Sequence, residues 1–166
     1  MSEELIKRAV WFLVLLLAQA LVLGRIHLFN CATPLLYVYF VTSFPRNFPR
    51  WAILVWSFML GLCVDIFFNT PGMASAAMTV IAVLQPYYFE LFISRDSAEN
   101  MVPSLASLGT VKYSYYIIVL VLLYSVIFFS LELFSFFNIT YWAMSVVGSA
   151  ALTLLLIFAF EIAKAK

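Results

Sequence analysis

Six apolar runs separated by short polar segments constrain the fold of this chain more than any other feature. They occupy residues 9–23, 31–44, 51–68, 73–93, 115–136 and 140–162. A bilayer core about 30 Å thick is spanned by about 20 helical residues. Of the 166 residues, 66% are hydrophobic and 10% are charged, which is too little polar surface to cover a soluble globule of this size. The sequence therefore predicts an all-α, polytopic membrane protein: a single domain of residues 1–166 with six transmembrane helices and a cytoplasmic loop at 94–114.

The second run is too short to cross a membrane as a helix by itself. Thr33 and Pro34 are typical of a helix start, and the 11 residues from Pro34 to Phe44 make about 16 Å of helix. The run must either take in residues 26–33 or re-enter the side it came from. Basic residues favour a crossing and two cytoplasmic termini. In that topology Arg25 lies outside, and the inside holds Lys7, Arg8, Arg46, Arg50, Arg95, Lys112, Lys164 and Lys166.

An aspartate lies inside the third apolar run, where an ionised side chain costs about 2.5–3.5 kcal/mol at mid-membrane. Asp65 should therefore face other helices or water rather than lipid. Gly61 lies one helical turn earlier on the same face, where it lets another backbone approach closely. Residues 69–72 are typical of a tight turn, so the third and fourth runs are predicted to form a helical hairpin. The alternative is that Asp65 only caps or pairs locally near the membrane surface.

Small residues mark further faces for helix packing or partner binding. Gly72 and Ala76 lie four residues apart at the start of the fourth run, and Gly148 belongs to a small-residue face of the sixth. Membrane helices use such faces because small side chains let two backbones come close. The sequence thus predicts packing or partner contacts at Gly61, Asp65, Gly72, Ala76 and Gly148.

Charged groups of opposite sign fall at one depth near the predicted outer surface. Asp65 and Glu132 lie about one turn from the outer ends of the third and fifth helices, and Arg25 and His27 lie at the outer end of the first. An opposite charge is the cheapest way to hold a carboxylate in a water-poor layer. We therefore expect these four residues to form an ion-paired outer polar cluster. The alternative is that each side chain reaches the lipid headgroups separately.

Two further acids fall near the predicted inner surface. Glu90 and Glu161 lie close in sequence to Arg95 and Lys164, respectively. These residues are predicted to form interfacial ion pairs.

Catalytic signals are missing from the sequence. The one histidine, His27, excludes HExxH and multi-histidine zinc sites. The second aspartate, Asp96, lies in the loop 94–114, so no two aspartates share one depth. Cys31 and Cys63 form no CxxC motif, although a bridge between them stays open. We expect no catalysis, cofactor or metal site, and the net charge of +1 argues against nucleic acid as a partner.

Several segments together resemble the rod-shape-determining membrane protein family MreD. They are Phe-Asn-Cys-Ala-Thr-Pro-Leu-Leu-Tyr-Val-Tyr at 29–39, Pro-Arg at 45–46, Gly61-Leu62-x-x-Asp65-x-Phe67 and Pro-Gly-Met at 71–73. Thr-Pro-Gly-Met-Ala at 70–74 is similar to the Bacteroidetes-type form. The resemblance implies a non-catalytic component of the cell-elongation machinery in the bacterial inner membrane. It implies MreC, MreB, RodA and a class B penicillin-binding protein as partners, and a helical arrangement similar to the substrate-binding subunits of energy-coupling-factor transporters.

Two functions from different classes follow. The first is a scaffold in the lipid bilayer whose helices bind an MreC-like single-span protein and help to couple the MreB cytoskeleton to peptidoglycan synthesis. The second is a small-molecule-binding membrane subunit of a vitamin-type transporter, with Arg25, His27, Asp65 and Glu132 lining an outer-facing pocket. The short outer loops favour the scaffold because they leave little chain for a lid over a pocket.

Overall fold

The computed structural model describes residues 2–22, 25, 32–134 and 137–166, and within these ranges the chain is all-helical. The helices are α1 (Ser2–Leu21), α2 (Val38–Thr42), α3 (Arg50–Phe68), α4 (Met73–Glu90), α5 (Leu105–Leu108), α6 (Thr110–Glu132) and α7 (Ile139–Ala165).

Three of the described helices, α3, α6 and α7, are long and apolar enough to cross a membrane. They are compatible with a membrane-embedded protein. The helices α1 and α4, which correspond to the predicted runs 9–23 and 73–93, are not apolar and long enough by the same criterion. Charged residues at 3, 4, 7 and 8 fill the first turns of α1, and the last turns of α4 hold Gln85, Pro86 and Glu90.

The polar loop is shorter than the predicted 94–114, because α6 already begins at Thr110. Within the loop, the single turn α5 is capped by Ser104, whose side chain accepts from the Ser107 backbone N–H at 3.2 Å. It ends at Gly109, which has a φ of 81°.

The second apolar run is not the helix that the sequence predicts for 31–44. Among its described residues, 32–44, only Val38–Thr42 are α-helical. Residues 32–44, called the buried segment below, lie almost entirely inside the packed helices, with Val38, Val41 and Phe44 fully inaccessible. Pro34 contributes to the outcome because it lacks a backbone N–H and disfavours helical geometry at Thr33.

Neighbouring helices supply the hydrogen bonds that a helix would have formed within the buried segment. The Thr33 N–H donates to Ser149 Oγ at 3.0 Å, and the Leu35 N–H donates to Thr153 Oγ1 at 3.0 Å. The Pro34 carbonyl accepts from Gln19 Nε2 at 2.8 Å. Non-helical backbone away from water is tolerated only where such partners exist.

The extended start of the buried segment covers more length per residue than a helix does. The two residues from Thr33 to Leu35 span the same distance as the four residues from Ser149 to Thr153, which rise about 6 Å along α7 at about 1.5 Å per residue. That is about 3 Å per residue, close to the limit of a fully extended chain. The estimate of about 16 Å for the run assumed helical rise throughout, which these residues do not follow.

Six segments lie side by side in alternating directions: α1, the buried segment, α3, α4, α6 and α7. One end of the molecule, called the hairpin end, carries the turn 69–72, and the other, called the loop end, carries residues 91–104. Side-chain contacts between the segments give these directions: Arg8 with Phe44, Gln19 with Pro34, Phe12 with Trp56, Gln85 with Tyr116, and Tyr113 with Phe158.

Candidate functional site

Asp65 lies near the end of α3 and binds the start of α4. Its carboxylate accepts from the backbone N–H of Ala74 at 2.9 Å and of Ser75 at 3.0 Å, and from Thr70 Oγ1 at 2.8 Å. The side chain is 5% exposed. The first N–H groups of a helix have no partner within the helix and carry its positive dipole end, so they favour a carboxylate.

The turn between the two helices explains why the cap comes from another helix. Gly72 occupies the N-cap position of α4 with a φ of 77°, and it has no side chain that could accept a hydrogen bond. Asn69 ends α3 in the left-handed region at a φ of 55°, which asparagine tolerates better than most residues. The turn thus leaves the end of α4 open, and Asp65 fills that role across the hairpin. This is the local capping alternative that the sequence left open.

Gly61 brings the backbones of α3 and α4 into contact one turn below Asp65. A Cβ placed on Gly61 would lie 2.4 Å from Ser75 Cα and 2.7 Å from Ser75 N. Both distances are shorter than any real Cβ contact, so no side chain fits there. The close approach predicted at Gly61 is present, and the partner helix belongs to the same hairpin.

The other small residues fall on different surfaces. Gly148 packs towards the buried segment, since a Cβ there would lie 3.0 Å from Ala32 Cβ. Gly72 and Ala76 are exposed, and no atom lies within 4 Å of a Cβ placed on Gly72. They continue along one face of α4 with the exposed side chains of Val80, Val83 and Tyr87.

The contacts of Asp65 that the structure describes do not include the other residues of the predicted outer polar cluster. Its carboxylate oxygens are bound by Thr70 and by the first turn of α4, and Arg25 is exposed. Glu132 is exposed at the end of α6, and His27 lies outside the described residues. The cluster as a whole therefore stays a prediction.

A second buried carboxylate was missed by the sequence analysis. Glu161 is 3% exposed, and its Oε1 accepts from the hydroxyls of Tyr39 at 2.7 Å and Tyr113 at 3.2 Å. The interfacial pair predicted with Lys164 is therefore wrong, because Glu161 points into the helix packing. The spacing of Ser149, Thr153, Ile157 and Glu161, one turn apart on the buried face of α7, is the sequence signal that could have revealed it.

Glu90 does form an interfacial pair, but with a different partner from the one predicted. Its Oε1 lies 4.0 Å from Arg50 Nη2, and both side chains are more than half exposed. Arg50 also donates to the Tyr87 hydroxyl at 2.8 Å. Such an exposed pair contributes little to stability.

Polar side chains hold the second half of the buried segment. Gln85 Nε2 donates to the Tyr116 hydroxyl at 3.0 Å, and that hydroxyl donates to the Thr42 carbonyl at 3.2 Å. The hydroxyls of Tyr37 and Tyr124 bind each other. Together with Glu161, these contacts surround the segment with partners from α4, α6 and α7.

A cavity of about 210 Å³ opens near the hairpin end and is called the hairpin-end cavity below. Its polar lining residues are Gln19, Thr33, Tyr37, Thr70 and Glu132. Its apolar lining residues are Leu35, Val64, Phe68 and Phe128. Gln19 is 1% exposed, and its Oε1 has no hydrogen-bond partner among the described residues.

The loop end carries a polar cleft of about 410 Å³. It is lined by Arg46, Asn47, Glu90, Arg95, Asp96, Ser97 and Glu99. Charges of both signs share the cleft, so it has no strong preference for one sign of ligand.

Cys63 does not belong to a metal site within the described residues. Cys63 is a free, half-buried thiol, and Cys31 lies outside the described residues. Within the described ranges, no three His, Cys, Asp or Glu side chains come together as a metal site would require.

In comparisons with known proteins, no family model, no curated protein and no solved structure matches this chain.

Proposed function

We propose that this chain is an MreD-like, non-catalytic scaffold of the bacterial cell-elongation machinery. The observation that carries the proposal is the exposed face of α4 formed by Gly72, Ala76, Val80, Val83 and Tyr87. Spacings of three and four residues put these positions on one side of the helix, and two of them are small. Such a face suits the close approach of another membrane helix.

The hairpin makes this face a rigid surface. Asp65 fixes the start of α4, and the Gly61 contact holds α3 and α4 backbone to backbone. A surface that is ordered before binding loses less conformational freedom when a partner docks. An MreC-like single-span helix is the proposed partner, with MreB, RodA and a class B penicillin-binding protein in the same assembly.

The polar interior supports a structural role over a catalytic one. Asp65 and Glu161, the buried carboxylates among the described residues, both bind donors from neighbouring parts of the chain. Those contacts orient helices or fill a helix end.

The proposed topology has six passes with both termini in the cytoplasm of a bacterial inner membrane. The alternating directions of the six segments support it, with the buried segment as the second pass. The hairpin end then faces outward, and the loop end, with its many basic residues, faces the cytoplasm. This arrangement keeps the proposed similarity to energy-coupling-factor subunits, although only Val38–Thr42 of the second pass are α-helical.

Copurification with an MreC-like partner tests the scaffold. Ala76→Leu places a bulky side chain on the proposed docking face, where it meets no atom of the hairpin core, and should abolish copurification at unchanged abundance in the membrane. Ala151→Leu is the matched control, because Ala151 is exposed on α7 away from that face. Partner binding that survives Ala76→Leu would exclude this surface.

Depletion of the protein tests its place in cell elongation. Rod-shaped cells that lose an elongation scaffold should round up, and re-expression of the wild-type chain should restore the rods. Cells that keep their rod shape after full depletion would contradict the proposal.

A small-molecule-binding subunit of a vitamin-type transporter is the alternative, and the hairpin-end cavity is the observation that favours it. Asp65, which was expected to line such a pocket, is not among its lining residues. A vitamin-sized metabolite retained by the purified protein would favour this alternative over the scaffold.

A further inference from the structure

The hairpin-end cavity presents hydrogen-bond acceptors to a ligand. Gln19 donates from Nε2 to the Pro34 carbonyl, which orients its amide and leaves Oε1 as an acceptor without a partner among the described residues. Thr70 donates its hydroxyl proton to Asp65 Oδ1, so the hydroxyl offers lone pairs to anything else that reaches it. These oxygens favour a ligand that brings donors.

The charge of the lining points the same way. Glu132 lines the cavity, and a carboxylate has about four lone-pair positions, so it can accept from a ligand in addition to contacts within the chain. No lysine, arginine or histidine is among the described residues that line the cavity. A cation is thus favoured over a neutral donor.

Aromatic walls complete the environment of a cation. Tyr37, Phe68 and Phe128 line the cavity, and an organic ammonium is attracted to the face of such rings. A primary ammonium also has three protons to donate to lining acceptors such as Gln19, Thr70 and Glu132, and a quaternary ammonium has none.

We propose that the hairpin-end cavity is a binding site for a primary ammonium group. This inference goes beyond the scaffold function and does not depend on it. Its position agrees with a general feature of membrane proteins, in which non-helical backbone lines polar cavities. Here the extended start of the buried segment contributes Thr33 and Leu35 to the wall, and Tyr37 follows just before α2.

The size of the cavity sets the size of the ligand. A volume of about 210 Å³ equals the share of about seven water molecules in the liquid. It falls below the range of about 300–1,000 Å³ that drug-sized ligands occupy. An ethanolamine-sized group fits. That group can come from a phosphatidylethanolamine headgroup or from a free amine, and both present the same ammonium.

Isothermal titration calorimetry on the full-length, delipidated protein in detergent tests the proposal. The probes are short-chain phosphatidylethanolamine, short-chain phosphatidylcholine and free ethanolamine. The ethanolamine lipid should bind at least about tenfold more tightly than the choline lipid, because it supplies charge-assisted hydrogen bonds. Binding of free ethanolamine with similar affinity identifies a soluble amine as the ligand, and binding of the lipid alone identifies a headgroup.

Substitution of Glu132 supplies the second arm of the test. Glu132→Gln removes the charge at an exposed position and should weaken binding of the ethanolamine lipid about tenfold with unchanged circular dichroism. Glu3→Gln, an exposed acid at the other end of the molecule, is the matched control and should leave the affinity unchanged. Equal affinity for both lipids, no binding of either lipid or of ethanolamine, or undiminished binding by Glu132→Gln would overturn the proposal.

Discussion

Asp65 shows how a single carboxylate can be held at the edge of an apolar helix with no cation as partner. Two backbone N–H groups and one hydroxyl surround it, and all three come from the ten residues that follow it in the chain. The charge is balanced by the dipole end of α4. The cost of burying the acid is thereby offset within one hairpin.

Replacing Asp65 with asparagine should destabilise the hairpin by about 1–2 kcal/mol, because the neutral amide offers one acceptor oxygen and no charge to the start of α4. Unfolding of the purified protein in detergent measures the loss. Asp96→Asn, at an exposed loop position, is the matched control and should leave the unfolding midpoint unchanged. An unchanged midpoint for Asp65→Asn would refute the capping role.

The two packed glycines should respond differently to alanine. At Gly61 the added Cβ meets backbone atoms of Ser75, which cannot move without displacing α4, so Gly61→Ala should cost about 1–3 kcal/mol or more. At Gly148 the Cβ meets the Ala32 Cβ at 3.0 Å, which needs a shift of a few tenths of an ångström. The midpoint temperature of thermal unfolding should therefore be much lower for Gly61→Ala than for Gly148→Ala. The reverse order would contradict the backbone contact.

The buried segment is the element that departs furthest from ordinary membrane architecture. The backbone N–H groups at its extended start donate to the hydroxyls of Ser149 and Thr153 on α7. In a helix, these N–H groups would have donated to carbonyls of the same helix. The stability of the segment therefore depends on the side chains that accept its hydrogen bonds.

Thr153→Val should leave the Leu35 N–H buried without an acceptor, at a cost of about 1–3 kcal/mol. Hydrogen exchange at Leu35 should accelerate in this variant. Thr79→Val is the matched control, because the Thr79 hydroxyl donates only within its own helix, to the Ser75 carbonyl. Equal effects of the two substitutions would show that α7 does not hold the segment.

At the scale of the whole molecule, six alternating segments put the turn 69–72 and residues 137–138 at one end and the loop 91–104 at the other. The buried segment counts as one of these six segments and runs between the helices. An odd number of crossings would place the later loops on the opposite sides of the membrane.

Cysteine accessibility tests this arrangement. In a chain with Cys31 and Cys63 replaced by serine, Asn138→Cys should react with an impermeant thiol reagent in intact cells from which any outer membrane has been removed. Asp96→Cys should react only after the membrane is opened, since six passes place it in the cytoplasm. Both residues are exposed at their ends of the molecule, so burial does not limit the reaction. Labelling of both cysteines in intact cells would exclude six passes.

Hydropathy and local spacing were enough to predict five of the helices, with most of their described ends within several residues of the predicted ones. They also predicted the tight turn and the close approach at Gly61. These features depend on neighbours in sequence: an apolar run favours a helix, a glycine one turn from an acid marks a packed face, and residues 69–72 favour a turn. The capping of α4 by Asp65 was also within reach, since its partners follow within ten residues.

Only the tertiary structure decided the conformation of the buried segment and the burial of Glu161. The partners that hold Thr33, Leu35 and Tyr39 lie 116, 118 and 122 residues further along the chain, on α7. No local pattern reports such partners, yet they are what lets an extended backbone and a carboxylate leave water. The sequence by itself determined which parts of the chain are apolar helices, because that property is local. The packing decided where polar groups are satisfied, because each bond needs a donor and an acceptor from distant elements.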